Sequence, residues 1–292
     1  MQKFVGTGVA LVTPFNEDKS IDFEGLKRLV NFNIDNGIDY LVINGTTGES
    51  ATITREEKWQ LVNFIAEVNQ NRVPLVLGIG GNNTLAVVEE LRFSDLTKVN
   101  AILSVAPYYS KPTQEGLYQH FKAVAEACSK PFIIYNIPGR TSKNMEPETT
   151  LKLARDFDNI IAVKEAGNNV QQYLELIKNK PDDFLIISGD DDLALNVVLA
   201  GASGVISVIG QGFPKEFSSL INFGLEGENG KAYTLYYRLI DMISLIFEEN
   251  NPAGIRAVLN ASGIIKNELR LPLVPASDLL QKKIVDFVKS FT

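Results

Sequence analysis

Residues 132–165 read FIIYNIPGRTSKNMEPETTLKLARDFDNIIAVKE, and this stretch decides the fold. It opens on a short apolar run, Phe132–Tyr135, and closes on another, Ile160–Val163, with a helical segment, Glu146–Asp156, between them. Runs of four or five residues, apolar on both faces, are the pattern of a strand in a parallel sheet covered on each side. Working outward, Val9–Val12, Tyr40–Ile43, Leu75–Ile79 and Ala101–Val105 precede these runs, and Phe184–Ile187 and Val205–Val208 follow, making eight. Helical segments fall between them. Phe23–Asn36 carries Phe23, Leu26, Leu29, Val30 and Ile34 at helical spacing and stops at Asn36-Gly37. Thr54-Arg55-Glu56-Glu57 reads as a capping box. Asn82–Lys98, Gln114–Cys128, Asn169–Asn179, Asp191–Ala200 and Pro214–Phe223 supply the remaining helices. Eight alternations of strand and helix predict an α/β chain folded as a (β/α)8 TIM barrel. An open doubly wound sheet is the alternative, but no Gly-x-Gly-x-x-Gly turn follows the first strand. The barrel is expected to span residues 1–224. Residues 225–292, with helical patterns at Tyr233–Glu248, Pro252–Lys266 and Ala276–Ser290, are expected to form a C-terminal helical extension.

Composition narrows the function. The chain has 292 residues, a formal net charge of -7, 45% hydrophobic and 22% charged residues. An acidic balance argues against non-specific binding of nucleic acid or anionic membrane. No segment has the roughly 18 apolar residues of a membrane span, and Met1–Gly6 lacks a signal-peptide core, so a cytoplasmic protein is expected. Cys128 is the only cysteine, which excludes an intrachain disulfide, and it reads as a small core residue. His120 is the only histidine. A multi-histidine zinc site is therefore excluded, and a Ser-His-Asp hydrolase would have to rest on this one residue. It lies at the edge of the apolar face of Leu117, Phe121, Val124 and Cys128, and reads as structural or solvent-exposed.

In a barrel of this kind the active site lies at the C-terminal ends of the strands. Lys164 follows the sixth run, at the end of its strand. Burial disfavours its ammonium form and favours a neutral amine, which can attack a ketone and form a Schiff base. Tyr135 ends the fifth run, on a neighbouring strand about 4.8 Å away, and its hydroxyl can move the protons of carbinolamine dehydration. Gly45-Thr46-Thr47-Gly48 ends the second strand with flexible backbone N–H groups and two hydroxyls, a turn able to bind a carboxylate. Arg140 can grip a carboxylate bidentately. Asp190-Asp191-Asp192 is read as acids in the first turn of a helix rather than as a metal site.

These residues resemble a known family. Gly45–Ser50, Pro107-Tyr108-Tyr109, Tyr135–Thr141 and Val163-Lys164-Glu165-Ala166 look like the signature blocks of the dihydrodipicolinate synthases, within the wider superfamily of N-acetylneuraminate lyases and keto-deoxy-sugar-acid aldolases. The likeness runs from Gly8–Phe15 to the helical tail. It implies a class I, metal-independent lyase needing no cofactor. Such an enzyme condenses pyruvate with L-aspartate-4-semialdehyde in lysine and diaminopimelate biosynthesis. Lys164 would be the Schiff-base lysine, Tyr135 the proton donor and acceptor, and Thr46 a relay residue. Tyr109 would be a second relay residue, donated across a subunit interface. Thr47 would bind the pyruvate carboxylate and Arg140 that of the aldehyde, while Gly189 and Ile206 would line the site through backbone groups. A homotetramer, a dimer of dimers, is implied.

One departure bears on regulation. Lysine-sensing members hold the effector with an asparagine, a tyrosine and a glutamate. Asn82 and Tyr108 match the first two, but Ala86 stands where the glutamate is expected, and Arg55 and Lys58 replace histidines, two cations expected to repel an effector ammonium. On this resemblance Ser50, Ala51, Asn82 and Tyr108 would be remnants of an effector site, and weak or absent inhibition by L-lysine is expected. Two other functions compete. A sugar-acid lyase shares the lysine and tyrosine, but Arg140 and the paired Thr46-Thr47 favour the synthase. A catalytically inactive small-molecule sensor would keep the fold without needing the whole residue set.

Overall fold

A computed structural model describes residues 2–291. Eight parallel strands close into a barrel in sequence order: β1 (Gly6–Ala10), β2 (Tyr40–Ile43), β3 (Leu75–Gly78), β4 (Ala101–Val105), β5 (Phe132–Asn136), β6 (Ile160–Glu165), β7 (Leu185–Ser188) and β8 (Gly204–Ser207). Helices between successive strands cover the outside, so the chain is a (β/α)8 TIM barrel, as the apolar runs predict. Alternation along each strand sorts the side chains. Ala10, Val42, Val76, Leu103, Ile133, Ala162, Ile187 and Ile206 fill the barrel interior. Their neighbours Val9, Leu41, Leu77, Ile102, Ile134, Val163 and Ile186 pack outward under the helices.

The first strand differs from the expected Val9–Val12. It begins at Gly6, because a run containing Gly6-Thr7-Gly8 carries no apolar signal. Those glycines leave room rather than pack. A Cβ on Gly8 would stand 2.1 Å from Cε2 of the Tyr40 ring, which fills the bottom of the barrel against Phe4. Gly204, with φ of +141°, lets β8 pass so close to β1 that a Cβ there would lie 2.0 Å from the Gly6 carbonyl oxygen. Strands β5 and β6 run past the apolar residues to include Asn136, Lys164 and Glu165.

Several helices are shorter than their patterns. The expected Asn82–Lys98 is Thr84–Phe93: Asn83 accepts from the Ala86 N–H at 3.3 Å, and beyond Ser94 the Asp95 carboxylate turns the chain by accepting from Thr97. Asp191–Ala200 shrinks to Ala194–Leu199. The capping box at Thr54 is present, with Thr54 and Glu57 bonded reciprocally. Helices Asn229–Glu248, Ala253–Ala261 and Asp278–Phe291 form the C-terminal region. Their Leu239, Ile243, Ile255, Val258 and Ile284 join the same apolar core as the barrel's outer layer. The expected Pro252–Lys266 helix ends at Ala261 because Gly263 adopts φ of +71°. Among the described residues no helix is long and apolar enough to cross a membrane.

Candidate active site

Strand alternation puts Lys164 and Tyr135 inside the barrel rim. Tyr135 is the register partner of Lys164, and Ile187 stands on the other side of it. The Lys164 Nζ lies 4.3 Å from the centroid of the Tyr135 ring. The residues are only 5% and 6% exposed, so amine and phenol meet at the floor of a cavity. That cavity, of about 350 Å³, is walled by Thr46, Thr47, Tyr135, Arg140, Lys164, Gly189, Asp190, Val208, Phe247, Asn250 and Asn251. Gly189 is needed for space: a Cβ would fall 2.9 Å from the Lys164 Cε and 2.6 Å from the Ala166 Cβ.

The loop after β2 is held from several sides. Asn44 and Glu49, at its two ends, both have φ of +58°. Within it the Gly48 and Glu49 N–H groups donate to the carbonyls of Gly45 and Thr46. The Thr13 hydroxyl donates to the Gly48 carbonyl at 2.7 Å. Glu49 pairs with Arg256 at 2.6 Å, both side chains fully buried, and Arg256 also donates to the Thr13 carbonyl. Asn251 Nδ2 donates to Thr47 Oγ1 at 2.9 Å, and Arg140 Nη2 donates to the Asn251 carbonyl at 3.2 Å. Thr47 and Arg140 are thus both tied to one residue of the C-terminal region.

A polar layer lies behind the strands. Glu165, facing outward next to Lys164, accepts from Asn136 Nδ2 and Gln172 Nε2, each at 2.9 Å. Burial pushes its carboxyl up to about 7, against the pull of those two amides. Asp190, on the cavity wall, is raised to about 6, again by burial, with the Asn168 N–H opposing. Asp191 is likewise raised to about 6 by burial. The expectation that Asp190-Asp191-Asp192 occupies the first turn of a helix does not hold. The helix begins at Ala194, and Asp191 instead accepts from the N–H groups of Val208 and Ile209 (2.8 Å to Ile209), anchoring the chain as it leaves β8. His120 is buried rather than exposed. Its Nδ1 is 2.8 Å from the Thr84 hydroxyl, and burial lowers its pKa to about 4. Cys128 is buried in the core.

The other expected residues are more scattered. Ile206 is fully buried in the barrel interior, and Val208 forms the cavity wall on that side. Tyr109 has φ of +70°, is 89% exposed and lies on no wall of its own chain's cavity. Ser50, Ala51 and Tyr108 line an adjoining cleft of about 440 Å³, and Asn82 donates to the Tyr108 carbonyl. Lys58 lines this cleft too, but as half of an ion pair with Glu90. The expectation of a repelling cation at Lys58 is therefore corrected: Glu90, one helical turn beyond Ala86, neutralises it. Asn250 and Asn251 escaped the sequence reading, and so did the Glu49–Arg256 pair, whose partners are 207 residues apart in the chain.

Comparison with known proteins agrees with this architecture. The curated 4-hydroxy-tetrahydrodipicolinate synthase of Flavobacterium psychrophilum is 54% identical over 292 residues, covering 100% of both chains. The crystal structure of dihydrodipicolinate synthase from Aquifex aeolicus superposes with a TM-score of 0.95 at 39% identity, covering 99% of this chain and 98% of that one. A structure described as the first monomeric dihydrodipicolinate synthase variant gives a TM-score of 0.96 at 37% identity, over 99% and 97% of the two chains. The model of the Dihydrodipicolinate synthetase family matches residues 3–291, and the chain belongs to that family.

Proposed function

We propose that this chain is a lyase that makes 4-hydroxy-tetrahydrodipicolinate from pyruvate and L-aspartate-4-semialdehyde, in lysine and diaminopimelate biosynthesis in the cytoplasm. The observation that carries the mechanism is the in-register meeting of a buried amine and a buried phenol at the cavity floor. The Lys164 amine attacks the pyruvate ketone carbon, and the ketone oxygen takes up a proton to give a carbinolamine. The Tyr135 hydroxyl delivers the proton with which that oxygen leaves as water, producing an iminium. The iminium draws electrons from the methyl group. Loss of a methyl proton gives an enamine, whose carbon adds to the aldehyde. The amino group of the second substrate then attacks the iminium carbon, closing the ring and releasing Lys164.

Thr46 relays protons between Tyr135 and Tyr109. The N–H groups and hydroxyl of the loop at Thr47 receive the pyruvate carboxylate, Arg140 receives that of the aldehyde, and Gly189 gives the Lys164 stem its space. Tyr109 is exposed and lies outside its own cavity's lining, which supports its donation to a second copy and hence a homo-oligomer, a tetramer built as a dimer of dimers. The division into a barrel, 1–224, and a helical extension, 225–292, belongs to the same proposal. Borohydride reduction in the presence of pyruvate, followed by peptide mass mapping, should place a pyruvyl adduct on the peptide holding Lys164. Lys164→Ala should lose both the adduct and at least about a thousandfold in turnover. An adduct elsewhere, or none, contradicts the mechanism.

A further inference from the structure

We propose that Asn251 is a positioning residue that sets the direction of the Thr47 hydroxyl, so that Thr47 donates its proton into the cavity. This rests on the reading of Thr47 as a receiver of the pyruvate carboxylate. Thr47 Oγ1 has one protein partner among the described residues, Asn251 Nδ2 at 2.9 Å. An amide nitrogen only donates. The threonine oxygen is therefore the acceptor in that bond, and its own proton is left for something else. The same holds for the neighbouring backbone: the N–H groups of Thr46 and Thr47 donate to no protein acceptor among the described residues. A hydroxyl and two amides then present three donors to one anion, the arrangement a carboxylate needs. The backbone of Asn251 is held: the residue is buried and its carbonyl accepts from Arg140, a bond that a side-chain change leaves in place. Its Oδ1 has no protein partner among the described residues, so the bond from Nδ2 to Thr47 is the one hydrogen bond of the amide. With the amide turned the other way, Oδ1 would take the Thr47 proton and one of the three donors would be lost.

Asn251→Ala should raise KM for pyruvate about tenfold with kcat within about twofold of the parent, because the bond acts on ground state and transition state alike. Asn251→Asp, which has the same shape but only accepts, should raise it further. The deciding measurement is a double-mutant cycle with Thr47→Val. Asn251→Ala should add nothing to KM in the Thr47→Val background. Equal losses in both backgrounds, or Asn251→Asp binding pyruvate as tightly as the parent, would overturn the proposal. Should Asn251→Ala fail to fold, the cycle is completed with Asn251→Asp. Borohydride trapping on the unaltered protein keeps the two readings apart. Absence of an adduct at Lys164 removes the proposed function, and this inference with it; an adduct together with additive losses removes this inference alone.

Discussion

Gly189 and Glu165 show how closely the surroundings of Lys164 are specified. Gly189 has ordinary backbone angles, so its lack of a side chain serves packing against Lys164 and Ala166. Gly189→Ala should cost about 1–3 kcal/mol of stability by overpacking and, by displacing the amine, lower kcat more than tenfold. Chemical denaturation and steady-state assays on the same preparation test both. Glu165 offers a test by pH. Its folded value, about 7, lies above its ordinary 4.5 because burial disfavours the charged form. Its contribution to stability is therefore complete below pH 4.5 and is lost as pH rises through about 7. Glu165→Gln should narrow the fall in denaturation midpoint between pH 5 and pH 8, by an amount on the order of 3 kcal/mol at most. An unchanged pH dependence would show that Glu165 stays ionised.

At the scale of elements, the helix Arg55–Asn69 carries two roles on its first turns. Its capping box fixes where it starts, and Glu57 of the box also pairs with Arg270 of the C-terminal region at 2.5 Å. Thr54→Ala should cost about 1 kcal/mol, read from urea denaturation. On the same helix Lys58 pairs with Glu90 across the cleft beside the active site. Weak binding of L-lysine thus rests on missing and engaged carboxylates rather than on a repelling Lys58. A ligand ammonium lacks a carboxylate at Ala86, and the nearby Glu90 is already engaged. L-lysine at about 1 mM should leave more than half the activity, as a binding site weaker than that concentration would. Inhibition beyond one half would show that Glu90 abandons Lys58 for the ligand.

For the molecule as a whole, the barrel and the C-terminal region share a core and a site. The Glu49–Arg256 pair joins the loop after β2 to the helix Ala253–Ala261, with both charges out of water. Breaking such a pair leaves one buried charge uncompensated. Arg256→Met alone should cost about 3–5 kcal/mol, and adding Glu49→Gln should restore part of the loss. Thermal denaturation of the single and double variants measures it. If the double variant is no more stable than Arg256→Met, the pair is held by packing rather than by charge.

The barrel was legible in the chain because burial on both faces leaves short, uniformly apolar runs, and the placing of Tyr135 and Lys164 near the strand ends followed from where those runs stop. Legibility failed where contact replaces pattern. Gly6-Thr7-Gly8 makes a strand because Tyr40 needs the room, a steric fact between residues 32 apart. Asp191 reads as a helix-start acid but binds the chain beyond β8, since a buried carboxylate takes whichever N–H groups the fold leaves unpaired. Asn251 and Arg256 carry no local signal of a site at all. By itself the sequence determined the barrel, the family and the residues near the strand ends, because periodicity and motif are local properties. Only the tertiary structure decided which distant side chains hold the Thr46-Thr47 loop and which charges near it are neutralised. Hydrogen bonds and ion pairs depend on distances in space that chain separation does not encode.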